Sequence, residues 1–104
     1  MKRAKRRYLA LQLEVEGIPS EREIMDSIWT AVTKLFGEVG ASLTGLTMIK
    51  FDVERRIAVI RTSLVSLHSV RASLATITSI AESDASVHVL AVSGTLKALY
   101  DRIE

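Results

Sequence analysis

The sequence predicts an α+β fold in which strands and helices alternate as βαββαβ, followed by a short C-terminal helix. Alternating apolar and polar residues near the start indicate a strand, and two later stretches carry apolar residues at helical spacing. A pair of strands separates these two helices, and one more strand follows the second. With 104 residues and 48% hydrophobic content, the chain is long enough for one buried core.

The first strand and the first helix have clear boundaries. Apolar residues alternate with polar ones over residues 8–16, which is the period of a half-buried strand. Ser20 and Glu23 form a capping box that starts a helix over residues 21–36. Gly37 then occupies the position where a left-handed residue commonly ends a helix. The stripe predicted to face the core consists of Met25, Ile28, Trp29, Val32, Leu35 and Phe36.

The remaining elements follow the same two periodicities. Residues 46–62 predict a β-hairpin with a charged turn at residues 52–56. Apolar residues spaced by three and four predict a second helix over residues 66–81. Residues 86–92 are rich in β-branched side chains and predict the last strand, and residues 96–104 predict the terminal helix.

This order of elements is the ferredoxin-like arrangement, a four-stranded antiparallel sheet with two helices on one face. The last strand is apolar on both faces, with Val87, Val89 and Ala91 predicted on one and Leu90 and Val92 on the other. Either the terminal helix covers the second face or that face is a protein interface, because monomers seldom expose large apolar patches. The candidate interface residues are Val87, Val89, Leu90 and Val92.

Positive charge is concentrated at the start of the chain, which predicts a basic arm over residues 1–7 and a single domain over residues 8–104. The arm holds five Lys or Arg residues and no acid, whereas the rest holds nine basic and twelve acidic residues. Binding to a polyanion is therefore expected to be local. The alternatives are a solvated tail and a solvated hairpin turn. The candidate contacts are Lys2, Arg3, Lys5, Arg6, Arg7, Arg55 and Arg56.

No motif in the sequence predicts an active site. His68 and His88 lack partners at the spacing of metal ligands, and no glycine-rich phosphate loop is present. Asp52 and Glu54 are better explained as a charged turn than as a metal site. The chain has no cysteine, and its apolar stretches are far shorter than the roughly 20 residues of a membrane-spanning helix. We therefore expect a cytoplasmic protein that is no enzyme by itself, binds no cofactor and does not bind a membrane.

Single-stranded RNA is often read by aromatic residues on a sheet of this type. The predicted third strand, RRIAVIRT, has no aromatic residue, and the first strand offers only Tyr8. Readout of single-stranded RNA by base stacking is therefore disfavoured. The basic residues instead favour phosphate contacts, which position a protein on folded RNA without reading its sequence.

Four blocks of the sequence resemble a known family. They are KRRYLALQL, LFGEVGAS, VIRTSLVSLHSVRASLATITSI and LAVSGTLKAL. In this order they resemble the archaeal and eukaryotic ribonuclease P protein component 2, whose eukaryotic relatives are shared with ribonuclease MRP. The resemblance extends from about Lys5 to Leu99.

The resemblance implies a noncatalytic subunit of ribonuclease P, in which the RNA removes the 5′ leader of precursor tRNA with Mg²⁺ that the RNA holds. It implies contact with the ribonuclease P RNA, only indirect contact with precursor tRNA, pairing with a barrel-like protein subunit, and homodimerisation. The last strand would then form or support an interface. The residues that the resemblance places nearest to RNA are Arg6, Arg7, Arg61, Arg71 and Lys97.

Two other functions share this order of elements. One is a small-molecule-binding regulatory module of the ACT type, which binds amino acids at loop glycines. The segment EGIPSE at the first turn and the basic start argue against it. The other is an acylphosphatase-like enzyme, which needs an Arg in a phosphate-binding first loop and a nearby Asn. This chain has no Asn, and its first loop is acidic.

Overall fold

The computed structural model describes residues 5–104, and its element order confirms the α+β class. Lys2 and Arg3 of the predicted arm lie outside the described residues. A short 3₁₀ turn at Leu64–Ser66 leads into the second helix. The elements are β1 (Arg6–Val15), α1 (Glu21–Ser42), β2 (Thr47–Asp52), β3 (Ile57–Ser63), α2 (Leu67–Leu74), β4 (Ser79–Ile80), β5 (Ser83–Ser93) and α3 (Leu96–Ile103).

The sheet has five strands in the order β2-β3-β1-β5-β4, and all of its pairs are antiparallel. The predicted four-stranded sheet lacks β4, a two-residue strand that pairs with the start of β5. The turn between them contains Ala81 and Glu82, with φ of 51° and 66°. Positive φ at both central residues is the geometry of a tight hairpin turn, so the chain reverses here and β5 starts three residues earlier than predicted.

The second helix ends at Leu74, so the predicted continuation to residue 81 is wrong. Thr76, Ile77 and Thr78 are β-branched and have low helix propensity. The hydroxyl of Thr76 donates to the carbonyl oxygen of Ser73 at 2.7 Å, which caps the end of the helix. Ile77 still reaches the core, which explains why the apolar spacing continues past the helix.

The first helix starts where the sequence predicts, but it breaks at Gly37 and does not end there. The hydroxyl of Ser20 accepts a hydrogen bond from the backbone N–H of Glu23 at 3.1 Å, and the Glu23 carboxylate accepts one from the N–H of Ser20 at 2.9 Å. Gly37 has φ 76° and ψ 174°, a conformation that only glycine adopts readily. The helix resumes after this break and continues to Ser42, six residues beyond the predicted end.

Side chains pack on both faces of the sheet. On one face, Leu9, Leu11 and Leu13 of β1 pack against α1 and α2. On the other face, Leu99 of α3 is fully buried against Ala10. The terminal helix therefore covers the second face, which is one of the two predicted alternatives.

A β-bulge at Leu90 changes which residues of β5 share a face. Ala10 pairs with Ala91 and Leu11 pairs with Val89, so Leu90 has no partner in β1 and is 48% exposed. Val92 consequently joins Val87 and Val89 on the α1 and α2 face, and Ala91 lies on the α3 face. The predicted faces of Ala91 and Val92 are therefore wrong. The interface role of Val87, Val89, Leu90 and Val92 stays a prediction.

Candidate functional site

Charges are segregated to the two ends of the sheet. At one end, β1 begins, β3 and β5 end, and α3 begins, as the pairing of Arg6 with Ser63 and of Tyr8 with Ser93 shows. The segment after α1 also lies there, because the N–H of Ser63 donates to the carbonyl of Thr44 at 2.7 Å. We call this the basic end. It brings together Lys5, Arg6, Arg7, Arg61 and Lys97.

The described residues of the basic end include no carboxylate. Residues 5–8, 39–47, 61–68 and 92–98 contain no Asp or Glu. None of these five cations forms an ion pair with a carboxylate of residues 5–104, and Glu38 is the acid next to these ranges in the sequence. The electrostatic potential at this end is positive whatever the net charge of the chain.

Arg7 lies against the glycine that directly follows β5. Its guanidinium lies over Gly94, where a Cβ atom would be 3.5 Å from Nη1. Nη1 also donates to the carbonyl of Arg6 at 2.8 Å. Thr95 follows directly and caps α3 by accepting a hydrogen bond from the N–H of Ala98 at 3.2 Å. This cap places Lys97 in the first turn of α3, beside the start of β1.

Arg61 lies between two partners on the α3 face of the sheet. It pairs with Tyr8 in β1 and with Thr47 in β2. Its Nη2 donates to the hydroxyl of Thr47 at 3.3 Å. Its Nε is buried and has no hydrogen-bond partner among residues 5–104. No carboxylate of residues 5–104 forms an ion pair with Arg61, so the exposed part of its guanidinium can bind an added anion.

The two hairpin arginines lie at the opposite end of the sheet. β1 has ten residues, so its ends are about 30 Å apart. Arg56 donates to the carbonyl of Val15 at 2.7 Å and also to the carbonyl of Gly17. Arg55 donates to the carbonyl of Ile103. These guanidinium groups therefore hold loops together, and the structure does not bring them near the basic end. Their RNA role stays a prediction.

This far end also carries most of the acids, and we call it the acidic end. The residues at the end of β1, at the start of α1, in the two hairpin turns and at the end of α3 include eleven of the twelve carboxylates of the chain. Glu38 is the exception. The acids of the acidic end are Glu14, Glu16, Glu21, Glu23, Asp26, Asp52, Glu54, Glu82, Asp84, Asp101 and Glu104.

Arg71 and the two histidines lie apart from the basic cluster. Arg71 is exposed on α2, which packs on the other face of the sheet from Arg61. His68 is exposed on the same helix. His88 lies 3.7 Å from a carboxylate oxygen of Glu14, and both side chains are exposed.

The described part of the chain has no group of three His, Cys, Asp or Glu residues that could hold a metal ion. Within the same residues, no helix is long and apolar enough to cross a membrane. The candidate binding surfaces of residues 5–104 are the two charged ends and the exposed apolar side chains.

The exposed apolar side chains are a feature that the sequence reasoning missed. Trp29 is 45% exposed and Phe36 is 42% exposed, although both were predicted to face the core, as was Leu35. The buried stripe of α1 is instead Ile24, Ile28 and Val32. Their i, i+4 spacing is visible in the sequence and would have given the correct face. Val39, Leu43 and Val65, close to the basic end, are exposed as well.

Comparisons with known proteins agree with the resemblance found in the sequence. The family model of the Rpp14/Pop5 family matches residues 7–104, from the basic end of β1 to the last residue. The chain belongs to the Rpp14/Pop5 family.

Curated relatives of this family member match it over most of its length. "Ribonuclease P protein component 2" of Pyrococcus furiosus is 34% identical over 97 residues, which cover 93% of this chain and 81% of the relative. The protein of the same name from Methanosarcina mazei is 37% identical over 95 residues, which cover 91% of this chain and 80% of the relative.

A solved structure shows the same fold at low sequence identity. A chain in the cryo-EM structure of yeast ribonuclease MRP matches this family member with a TM-score of 0.69 and 17% identity. The match covers 92% of this chain and 79% of that one. The regulatory-module and acylphosphatase alternatives are not favoured by these findings.

Proposed function

We propose that this chain is a noncatalytic protein subunit of ribonuclease P, which binds the catalytic RNA and assists its removal of the 5′ leader from precursor tRNA. The family and the names of the relatives support this function. The observation that carries it is the basic end, where five cations gather and none forms an ion pair with a carboxylate of residues 5–104. Precursor tRNA is contacted indirectly, through the RNA subunit.

The chemistry of this role is neutralisation of phosphate charge. Each Lys or Arg at a phosphate releases condensed counterions, which drives binding and makes it dependent on salt. Arg6, Arg7 and Arg61 can each bind a phosphate through two parallel N–H groups, whereas Lys97 acts as a point charge. Less repulsion between crowded RNA helices lowers the Mg²⁺ that the RNA needs. Mg²⁺ is bound by the RNA in this proposal, and the protein binds no cofactor.

Protein partners are also part of the proposal. α1, its C-cap and the 3₁₀ turn expose the apolar side chains Trp29, Phe36, Val39, Leu43 and Val65, and exposed apolar patches mark protein contacts. This surface supports docking of a second protein subunit, the barrel-like one of the resemblance. Homodimerisation is proposed on the resemblance alone.

The fold is proposed to be ferredoxin-like with one added strand. The four longer strands, in the order β2-β3-β1-β5 with α1 and α2 on one face, support this description, and β4 is added at the edge.

A cytoplasmic location is proposed for the same reasons as in the sequence: no cysteine and no long apolar segment.

The test is cleavage of precursor tRNA by an archaeal ribonuclease P RNA at limiting Mg²⁺, with the barrel-like partner subunit present. The intact chain is compared with the double variant Arg6→Gln/Lys97→Gln. The matched control is Arg22→Gln/Lys34→Gln, which removes the same charge from exposed residues of α1.

We expect the intact chain and the control to restore cleavage, and the basic-end variant to restore it less and with a shallower dependence on salt. If both double variants restored cleavage equally, the basic end would not contribute to the function. Failure of the intact chain to restore cleavage would overturn the function itself.

A further inference from the structure

We propose that Tyr8 and Arg61 form a binding site for one unpaired RNA nucleotide, with the base against the tyrosine ring and the phosphate on the guanidinium. The proposal rests on the proposed function, because it assumes an RNA ligand. It goes beyond phosphate neutralisation because it predicts a preference for single-stranded RNA over duplex RNA.

The site is built by direct cross-strand pairing. Tyr8 of β1 and Arg61 of β3 are opposite each other in register, so their side chains point to the same face of the sheet. Directly opposed residues have Cβ atoms about 5 Å apart, which is close enough for one nucleotide to touch both side chains. Both side chains are partly exposed.

Helix α3 covers much of this face, and Tyr8 packs at the edge of the cluster that α3 forms with Ala10 and Leu99. The helix packs on β1 and β5, and its buried Leu99 lies against Ala10, one position further along the face from Tyr8. The sheet beyond Tyr8 toward the acidic end is therefore covered, and no row of bases can lie along it. On the other side, β3 and β2 leave Arg61 and Thr47 beside the edge of the sheet. At the basic end of this face, Tyr8 and Arg61 are an opposed pair whose side chains stay partly exposed.

No acidic residue of the described chain neutralises the charge of Arg61. Its Nε is buried without an acceptor, while its Nη2 bonds to the Thr47 hydroxyl at 3.3 Å. No Asp or Glu of residues 5–104 lies within ion-pair distance of it. Lys50, which pairs with Val59 on the same face, adds a second cation along β2. A phosphate at the exposed part of the guanidinium would give it a charged acceptor.

Tyr8 supplies what the cations lack, a flat apolar ring. Stacking of a base on an aromatic side chain tolerates any base, because every base has a π-face. Bases inside an RNA duplex are stacked on each other and cannot reach the ring, so the nucleotide must be unpaired. A tyrosine beside an arginine on the two central strands therefore favours a bulged, looped or terminal nucleotide.

The first experiment measures binding of the full chain to an eight-nucleotide oligouridylate and to an eight-base-pair RNA duplex at one fixed salt concentration. We expect Tyr8→Leu to weaken binding of the single strand about tenfold and to leave duplex binding unchanged. Tyr8→Phe keeps the ring and should bind both as the intact chain does. Trp29→Leu removes an exposed aromatic ring from the other face and serves as the matched control.

If Tyr8→Leu weakened single-strand and duplex binding equally, the substitution would be acting on the fold. The crosslinking experiment with the intact chain would then decide whether the site exists. Unchanged single-strand binding in a folded Tyr8→Leu variant would overturn the nucleotide site. Because rescue of cleavage by the intact chain is measured separately, this result would leave the proposed function standing.

The second experiment identifies the source of the nucleotide in the assembled ribonucleoprotein. 4-Thiouridine is placed either in the precursor-tRNA leader or in unpaired positions of the catalytic RNA, and crosslinks to the intact chain are mapped. A crosslink at Tyr8 from either RNA supports the site and identifies its source. Crosslinks that are absent from Tyr8 in both arms would overturn it.

Discussion

Arg56 donates a hydrogen bond from Nη1 to the carbonyl oxygen of Val15 at 2.7 Å, joining the β2–β3 turn to the end of β1. A second bond reaches the carbonyl of Gly17, and the carbonyl of Arg56 itself accepts from the N–H of Leu13 at 2.9 Å. Arg56 holds this position with φ 55°, an uncommon conformation for a residue other than glycine. Its side chain therefore stabilises the fold at the acidic end.

This arrangement predicts that Arg56→Gln lowers the free energy of unfolding by about 1–3 kcal/mol, because a shorter neutral side chain leaves two carbonyls without a charged donor. Binding to the catalytic RNA should not change, since the site is about 30 Å from the basic end. Chemical denaturation and RNA binding by the same preparation check both parts.

Arg55→Gln is the control for this experiment. The Arg55 side chain makes a single exposed contact with the carbonyl of Ile103, so its loss should change stability by less than about 1 kcal/mol. If Arg56→Gln instead kept full stability and lost RNA affinity, the hairpin would be an RNA contact and the structural role of Arg56 would be wrong.

The sequence predicted the start of a helix correctly where that start depends on neighbouring residues. The start of α1 depends on two side chains three residues apart, Ser20 and Glu23, and both predicted bonds are present. The end of α2 could not be read from apolar spacing, because Ile77 is buried after the helix has already ended. The bulge at Leu90 depends on pairing with β1, which alternation within β5 alone does not reveal.

The sequence predicted individual residues of the basic end, but it did not predict which of the candidate residues lie together in the fold. The sequence identified Arg6, Arg7, Arg61 and Lys97, which the fold brings to one end. It also grouped Arg55 and Arg56 with the arm, although β3 runs antiparallel to β1 and the hairpin turn must therefore lie at the far end of β1. The pairing of Tyr8 with Arg61 required the register of the two strands.

Arg7→Gln is expected to weaken binding to the catalytic RNA and to lower the slope of log affinity against log salt by about 0.7–0.9, the value for one lost phosphate contact. Arg22→Gln, at the start of α1, removes the same charge at the acidic end and should leave the slope unchanged. Filter binding over a range of salt concentrations measures both. Identical slopes for the two variants would show that Arg7 makes no phosphate contact.

Gly37→Ala is expected to lower the free energy of unfolding by about 1–3 kcal/mol, although nothing lies within 4 Å of the added Cβ. The cost arises from the backbone, because φ 76° with ψ 174° is strained for any residue with a side chain. Gly94→Ala is the control, since its Cβ would make an ordinary contact of 3.5 Å with Arg7. Equal stability of the two variants in urea denaturation would argue that α1 does not break at Gly37.

Glu82→Gly is expected to raise the free energy of unfolding by about 0.5–1 kcal/mol. Glu82 has φ 66° in the tight turn between β4 and β5, and relief of this left-handed strain should exceed the entropy that glycine adds to the unfolded chain. Glu54→Gly tests the same exchange in the β2–β3 turn at a residue without positive φ, so only the entropic cost remains and stability should fall. The midpoints of urea denaturation should therefore move in opposite directions, and a fall in both would show that the turn at Glu82 is not strained.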